Sequence, residues 1–345
     1  MTTPVTIATD TWIYSAVPDT SILTTAFVTG RVIDEVTQRP LEGASVRANR
    51  EAVSTRVTQG GYFAAAGSAA RLFPDLATTA YALELTFRAD RHRELVVPVP
   101  IPIATIFPIA FGDVRLRPLP VRLEGRVVRE ANRTGIAGAT IAIKPPSTAL
   151  LLRTTAHTDH PAGVNVIPRT LNIGAAFTVA GDVRGGATSL KLAPNVAGLG
   201  AGSILRFTTT SEHVVVDTVD GPANRVTLRY PLTHSYPDTA PVREFTVLPG
   251  GAPVATARSI DAGDGLVVLT AVVNATAIEI SDGVRTEFHE INRVTDADGF
   301  YAADGIAGVA NLTLRATAAP LQPLDADWTI DYGRPVTALG FRLKP

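Results

Sequence analysis

The sequence predicts an all-β protein of two β-sandwiches, the second interrupted by a small β-barrel-like insertion. Three observations carry this. The chain holds 28 glycines and 25 prolines among abundant threonine and valine, the composition of short strands and many turns. No window keeps a helical hydrophobic period over several turns. And one strand–turn–strand phrase is written twice: "GRVIDEVTQRPLEGASVRA" from Gly30 and "GRVVREANRTGIAGATIAI" from Gly125.

In the first copy Val28, Gly30 and Val32 alternate with polar neighbours, as a half-buried strand requires. A polar turn, "DEVTQRP", leads to Ala44, Val46 and Ala48, again alternating. A turn and strand follow at "VTQGGYFAAAG" (Val57 to Gly67), then strands at "YALELTFRAD" (Tyr81 to Asp90) and "GDVRLRP" (Gly112 to Pro118). Short strands at this spacing indicate a Greek-key sandwich. The helix-like stretch "SAARLFPDLATT" is short and is broken by Pro74. The most apolar stretch, Glu94 to Phe111, holds four prolines, so it reads as extended chain at a sheet edge and not as a membrane helix.

The order G-R-V, P-L-x-G-A-x-V, T-x-x-G-x-Y/F and closing strand resembles the carboxypeptidase regulatory-like domain. That is a transthyretin-like (Ig-like) sandwich, and the likeness covers Ala26 to Pro118. The resemblance implies a non-catalytic accessory module, with nothing of a peptidase active site.

The second copy stops matching after Ile143 and resumes far downstream, at "VTDADGFYAADG" (Val294 to Gly305), "ANLTLRATA" and "LGFRLKP". Gly125 lies 95 residues after Gly30, but Pro345 lies 227 after Pro118, which leaves 132 residues unmatched. These are expected to be an insertion into an exposed turn, where added length costs little entropy. The alternative is a row of tandem modules in which "HTDHPAGVNVIP" completes the second copy. Only the C-terminal segment, however, supplies both the turn and the closing strand. The expected division is an N-terminal arm (1–25), a first sandwich (26–120), a split second sandwich (121–158 plus 292–345) and inserted modules (159–291).

Within the insertion, "SLKLA", "SILRF", "HVVVDTVDG" and "RVTLRY" read as strands of a barrel-like unit. "GLVVLT", "AIEIS" and "TEFHEI" echo three of them. The unit from Gly185 to Tyr236 resembles small β-modules of phage tail, baseplate and contractile-injection-particle proteins, through Gly186 to Leu192 and Val216 to His234. That resemblance implies a part in a large protein assembly.

Charge narrows the function classes. With 31 basic and 32 acidic residues the net charge is -1, which argues against a broad nucleic-acid or anionic-lipid surface. The only lysines are Lys144, Lys191 and Lys344, and cysteine is absent, which excludes disulfides and thiolate metal sites. The N-terminus lacks a basic region followed by an apolar one, so no cleaved signal is expected. No run of about 18 apolar residues predicts a membrane span.

Candidate chemistry is sparse. His157 and His160 flank Asp159 as HxxH, but the neighbouring Thr158 and Pro161 suggest a solvated loop, and no third ligand is near in sequence. Glu287, His289 and Glu290 lie together, yet on a strand His289 and Glu290 face opposite ways, so these are expected to be solvated or at an interface. The "DADG" at Asp296 to Gly299 lacks the acid at the twelfth position of a calcium loop and reads as an Asx-turn. The glycine-rich run after Gly185 lacks the Lys-Ser/Thr ending of a phosphate loop. Trp12 and Trp328 are the only tryptophans, and both are expected in packing. No catalytic, cofactor-binding or metal-ligating residue is assigned, and no cofactor.

The expected function is therefore a non-enzymatic structural component of a phage tail-like contractile injection particle, in a baseplate, cap or fibre-attachment role. Its partners would be other protein subunits, with self-association, and neither nucleic acid nor a membrane span. It would be cytoplasmic at synthesis and released with the particle by lysis. The alternative is a glycan- or protein-binding accessory module at a cell surface. An enzyme would need convergent polar groups in a pocket.

Overall fold

The computed structural model describes residues 12–17 and 20–345, with side chains described from Thr25 onward. The remainder of the expected N-terminal arm, and the side chain of Trp12, lie outside the described residues. The chain divides into two compact units, Met1–Leu119 and Pro120–Pro345.

Unit 1 holds β1 (Trp12–Val17), β2 (Thr20–Asp34), β3 (Ser45–Ala48), β4 (Ser54–Val57), β5 (Tyr62–Gly67), the four-residue helix α1 (Ala69–Leu72), β6 (Tyr81–Arg88), β7 (Leu95–Ile101) and β8 (Ile109–Leu116). One sheet runs β4-β5-β2-β8, with β1 on the N-terminal part of β2; the other is β3-β6-β7. Each strand supplies alternate apolar residues to the space between the sheets. In β6 Leu83, Leu85 and Phe87 are fully buried, while Glu84 and Arg88 are exposed. Phe27, Val32, Phe63 and Leu116 meet them in one core. Phe63 and Phe87 pack edge to face with ring centroids 5.0 Å apart, a geometry worth about 0.5–1.5 kcal/mol beyond area burial.

The proline-rich stretch forms β7, which pairs with β6 alone. Pro98 and Pro100 stand opposite Glu84 and Ala82. An edge strand tolerates missing N–H donors, and proline there discourages pairing with other chains.

A buried ionic pair ties His92 to Asp34 in this unit. His92 Nε2 donates to Asp34 Oδ2 at 2.8 Å and Nδ1 donates to the Asp90 carbonyl at 2.6 Å. Both ring nitrogens donate, so the ring is an imidazolium. Burial opposes its charge, but the Asp34 contact prevails and holds the His92 pKa above its ordinary value. Its contribution is therefore full below about pH 6.5 and is lost as pH rises through the raised value.

Unit 2 begins with β9 (Val121–Arg129) and β10 (Thr140–Ile143). Then come β11 (Ala149–Leu151), β12 (Asn165–Val179), β13 (Ser189–Ala193), β14 (Ile204–Phe207), β15 (Glu212–Asp220), β16 (Arg225–Leu228), β17 (Pro241–Leu248) and β18 (Val254–Ala255). The chain continues through β19 (Leu266–Val268), β20 (Ala277–Ser281), β21 (Thr286–Glu290) and β22 (Arg293–Val294). It closes with β23 (Phe300–Ile306), β24 (Asn311–Thr317), β25 (Leu324–Thr329), β26 (Val336–Ala338) and β27 (Phe341–Leu343).

The second sandwich faces β23-β9-β26, with β27 also on β9, against β22-β10-β24-β25. Around the repeated phrase it matches the first position by position. Gly30 stands opposite Phe63 and Arg31 opposite Tyr62; Gly125 stands opposite Tyr301 and Arg126 opposite Phe300. Val32 N–H donates to the Gly61 carbonyl at 2.8 Å, and Val127 N–H to that of Gly299 at 2.8 Å. Both turn glycines need positive φ, 75° and 79°, a region where a Cβ is strained. The closing strand lies parallel to the first in each copy, with Ile33 beside Arg115 and Val128 beside Arg342.

The chain leaves this sandwich after Ile143 and re-enters at Arg293. Leu150, Leu152 and Ala156, which the sequence alone groups with the sandwich, pack instead with Val164, Val166, Ile260 and Ile278. They do so because β11 pairs with β19.

The excursion folds as two modules that share a nine-stranded sheet, with β11 and β19 forming a separate two-stranded sheet. In the first, strands β12-β13-β16-β15-β14-β17 pair in sequence and β17 returns to β12, closing a six-stranded barrel. Its core includes Phe177, Leu192, Leu205, Phe207, Val216 and Val242. The second module uses β11, β18, β19, β20, β21 and the first half of β12. Strand β12 thus belongs to both, its partner switching from β20 at Arg169 to β17 at Thr170. Ile204, Val215 and Phe245 of the barrel meet Phe288 of the second module in a small apolar cluster.

Candidate functional site

The greatest concentration of chemistry-bearing side chains among the described residues lies where these modules meet. Five of the six histidines are there: His157, His160, His213, His234 and His289. Beside the apolar cluster, β21 presents Glu287 and His289, two residues apart and so on one face of the strand. The turn after β11 presents His157, Thr158 and His160 to the same point.

Glu287 is the centre. Its Oε1 accepts from the Thr158 N–H at 2.8 Å, the Thr158 hydroxyl at 2.6 Å and His160 Nε2 at 3.0 Å. Its Oε2 accepts from the His157 N–H at 2.7 Å and His289 Nε2 at 3.1 Å. Burial works against its charge, but the bonds from His160 and His289 overcome this and hold its pKa well below the usual carboxylate range. A carboxylate so enclosed is an anion in a cage of five donors.

A second cage lies alongside. Glu212, at the start of β15, accepts from the Thr233 N–H at 2.6 Å and hydroxyl at 2.9 Å, from His234 Nδ1 at 3.2 Å and from the Tyr236 hydroxyl. Burial again opposes ionisation, and the donors bring its pKa down to about 2. Burial and the Glu212 charge push Tyr236 up, so it stays a phenol and donates. The two cages are the same device in the two modules. Glu212 stands opposite Phe207 in the β14–β15 hairpin, and Glu287 opposite Ile280 in the β20–β21 hairpin. Each is gripped by a threonine N–H and hydroxyl from a turn running into proline, Thr158 before Pro161 and Thr233 before Pro237.

His157 joins the cages. Its Nε2 donates to the His213 carbonyl at 3.1 Å, and its Nδ1 lies 3.9 Å from Glu212 Oε1. Its ring stacks between Tyr230 and His289. On the other side Glu290 accepts from Arg153 at 2.9 Å and Arg206 at 2.8 Å. His213 faces this cationic pair with neither ring nitrogen hydrogen-bonded.

The structure therefore corrects one sequence expectation. His157 and His160 are not in a solvated loop: their side chains are 2 % and 0 % exposed. Glu287 and His289, expected to be solvated or at an interface, are buried beside the interface between the modules, at 1 % and 0 %. The reason is long-range: the polar turn of residues 157–160 is roofed by a strand some 130 residues later. The repeated threonine-to-proline turn and the alternation of Glu287 with His289 were the available signals.

Other candidates stand as the sequence reads them. Asp296 Oδ1 accepts the Asp298 and Phe300 N–H groups at 2.9 and 2.8 Å, an Asx-turn. Gly186, Gly198 and Gly202 turn the chain with φ near 90°. Trp328 is buried. Among the described residues no group of three or more histidine, aspartate or glutamate side chains is placed to hold a metal ion. No helix among them is long and apolar enough to cross a membrane.

Beyond the junction, Arg31 lies 5.2 Å over the half-exposed Tyr62 ring and Arg126 lies 5.1 Å over that of Phe300. A groove of about 550 Å³ passes Phe300 and is lined by Arg122, Glu124, Arg126, Tyr301 and Leu339.

Comparison with protein families finds no matching model, and comparison with curated proteins finds no match. Among solved structures, BcpA, the major pilin subunit of Bacillus cereus, aligns at 10% identity over 93% of this chain and 99% of its own, with a TM-score of 0.22. A point variant of BcpA gives the same values. The shaft pilin SpaA from Lactobacillus rhamnosus GG, as a mutant, aligns at 8% identity over 93% and 98%, with a TM-score of 0.20. Superpositions this loose carry no argument about function.

Proposed function

We propose that this chain is a structural protein of several β-domains that acts through protein–protein contacts and not through catalysis. One observation supports this above the rest. The two central carboxylates at the module junction are sealed from solvent, and each is saturated with donors. A group that exchanges protons with a substrate needs a free lone pair and access to it. Glu287 has neither; its donors all come from its own module, and its geometry fixes the turn of residues 157–160 beneath β21. In finer detail, the resemblance of Gly186 to Leu192 and Val216 to His234 to tail-particle modules favours a subunit of a phage tail-like contractile injection particle.

A second reading has its own observation. Both sandwiches display an exposed aromatic ring with an arginine over it at the same repeat position, and one borders a groove. This favours a glycan- or protein-binding module at a cell surface, since exposed aromatic faces suit sugar rings and interface anchors. The double variant Y62A/F300A distinguishes the readings. Under the binding reading it loses most retention on intact envelopes of the producing cell and remains folded. Unchanged retention counts against that reading.

A further inference from the structure

We propose that the histidine–glutamate junction is an acid-operated latch, in which uptake of a proton by His213 releases the barrel from its companion module. His213 is 2 % exposed. Neither ring nitrogen has a hydrogen-bond partner of ordinary geometry, and the one group that favours a proton there is the Ser211 backbone, which burial and the neighbouring charges outweigh. The cationic and apolar neighbours are unfavourable. Arg206, directly opposite on β14, and Arg153, after β11, are cations. His289 faces it from β21, and Phe245 on β17 meets its ring edge to face at 5.7 Å. The nearby carboxylate Glu290 is already held by both arginines. Glu212, next in the chain, projects to the other face of β15 into its own cage. His157 is held below its ordinary value as well, by burial, but to a lesser degree, because Glu287 and Glu212 oppose the shift and Glu212 lies 3.9 Å from its free nitrogen.

Burial, then the charges of His289 and Arg206, push the His213 pKa down to about 3. A ring that reaches water titrates near 6.5. The closed junction thus binds fewer protons than the open one between these values, so closure is favoured above pH 6.5 and weakens as pH falls. From pH 7.5 to 5.0 the open fraction is expected to rise about thirtyfold. The hinge is β12, where its partner changes between Arg169 and Thr170. Strand pairing on each side of that point can persist while the β15–β21 face opens.

The test is hydrogen exchange on the full-length chain at pH 7.5 and 5.0, corrected for intrinsic rates. Amides of 153–160, 204–216 and 286–290 are expected to lose protection about thirtyfold in the wild type and to change little in H213L and H213Q. Unit 1 is the internal reference: the raised pKa of His92 shifts its stability in the opposite direction, upward as pH falls. Equal protection at both pH values in the wild type overturns the latch, as does an unaltered loss in a folded H213L or H213Q. If neither variant folds, proton uptake by the wild type decides. About one proton per opening supports the proposal; none refutes it.

Discussion

Glu287→Ala is expected to destabilise unit 2 by about 3–5 kcal/mol while leaving unit 1 unchanged. The physical basis is what remains behind. Two backbone N–H groups, the Thr158 hydroxyl, His160 and His289 would all point into a void lined with donors. Each buried donor without an acceptor costs about 1–3 kcal/mol, reduced where the turn can relax toward water. Glu287→Gln keeps the volume but removes the charge and turns an amide NH₂ toward other donors, so it should recover only part of the loss. Denaturant titration with probes in each unit checks this. A loss below about 1 kcal/mol for the alanine variant would mean the cage is looser than its geometry.

Gly125→Ala should be nearly as damaging. A Cβ there would stand 1.8 Å from the Leu339 carbonyl oxygen and 3.0 Å from the Tyr301 ring. The obstacle is backbone, held where β9 passes from β26 to β27, so relief requires the strands to part. The cost is expected to exceed about 3 kcal/mol, at the severe end of overpacking. Its counterpart Gly30 meets the Gly112 carbonyl at 2.6 Å and Phe63 at 2.7 Å, and Gly30→Ala should injure unit 1 for the same reason. Gly43, the other glycine of the repeated phrase in that unit, has open space around its Cβ position. Gly43→Ala should stay within about 0.5 kcal/mol of wild type. Thermal denaturation of the three variants tests the ranking.

These glycines show why so much of the fold is readable in the sequence. Strand alternation and turn chemistry act over a few residues, so "GRV" and "DGFY" keep their character wherever the chain carries them. The pairing of Arg126 with Phe300 then follows from that of Arg31 with Tyr62. The echo of "SLKLA", "SILRF" and "HVVV" in "GLVVL", "AIEIS" and "TEFHE" is legible for the same reason. The junction is not. His289 and Glu290 do face opposite ways, but the pair that matters is Glu287 with His289. Their partners lie in a turn that looks like any polar loop. Burial of that turn depends on how two modules pack, which no local pattern encodes. The extent of the excursion was hidden likewise, because "ALL" at Ala149 to Leu151 is too short to announce its partner β19.

The claim that this chain works as a structural subunit is tested most directly by the mass and composition of its native assembly. A C-terminally tagged chain would be isolated gently from the native producer, sized, and its co-purifying chains identified by mass spectrometry. The account predicts a high-mass assembly containing other structural chains at fixed stoichiometry. A free monomer, alone in the preparation, would contradict it.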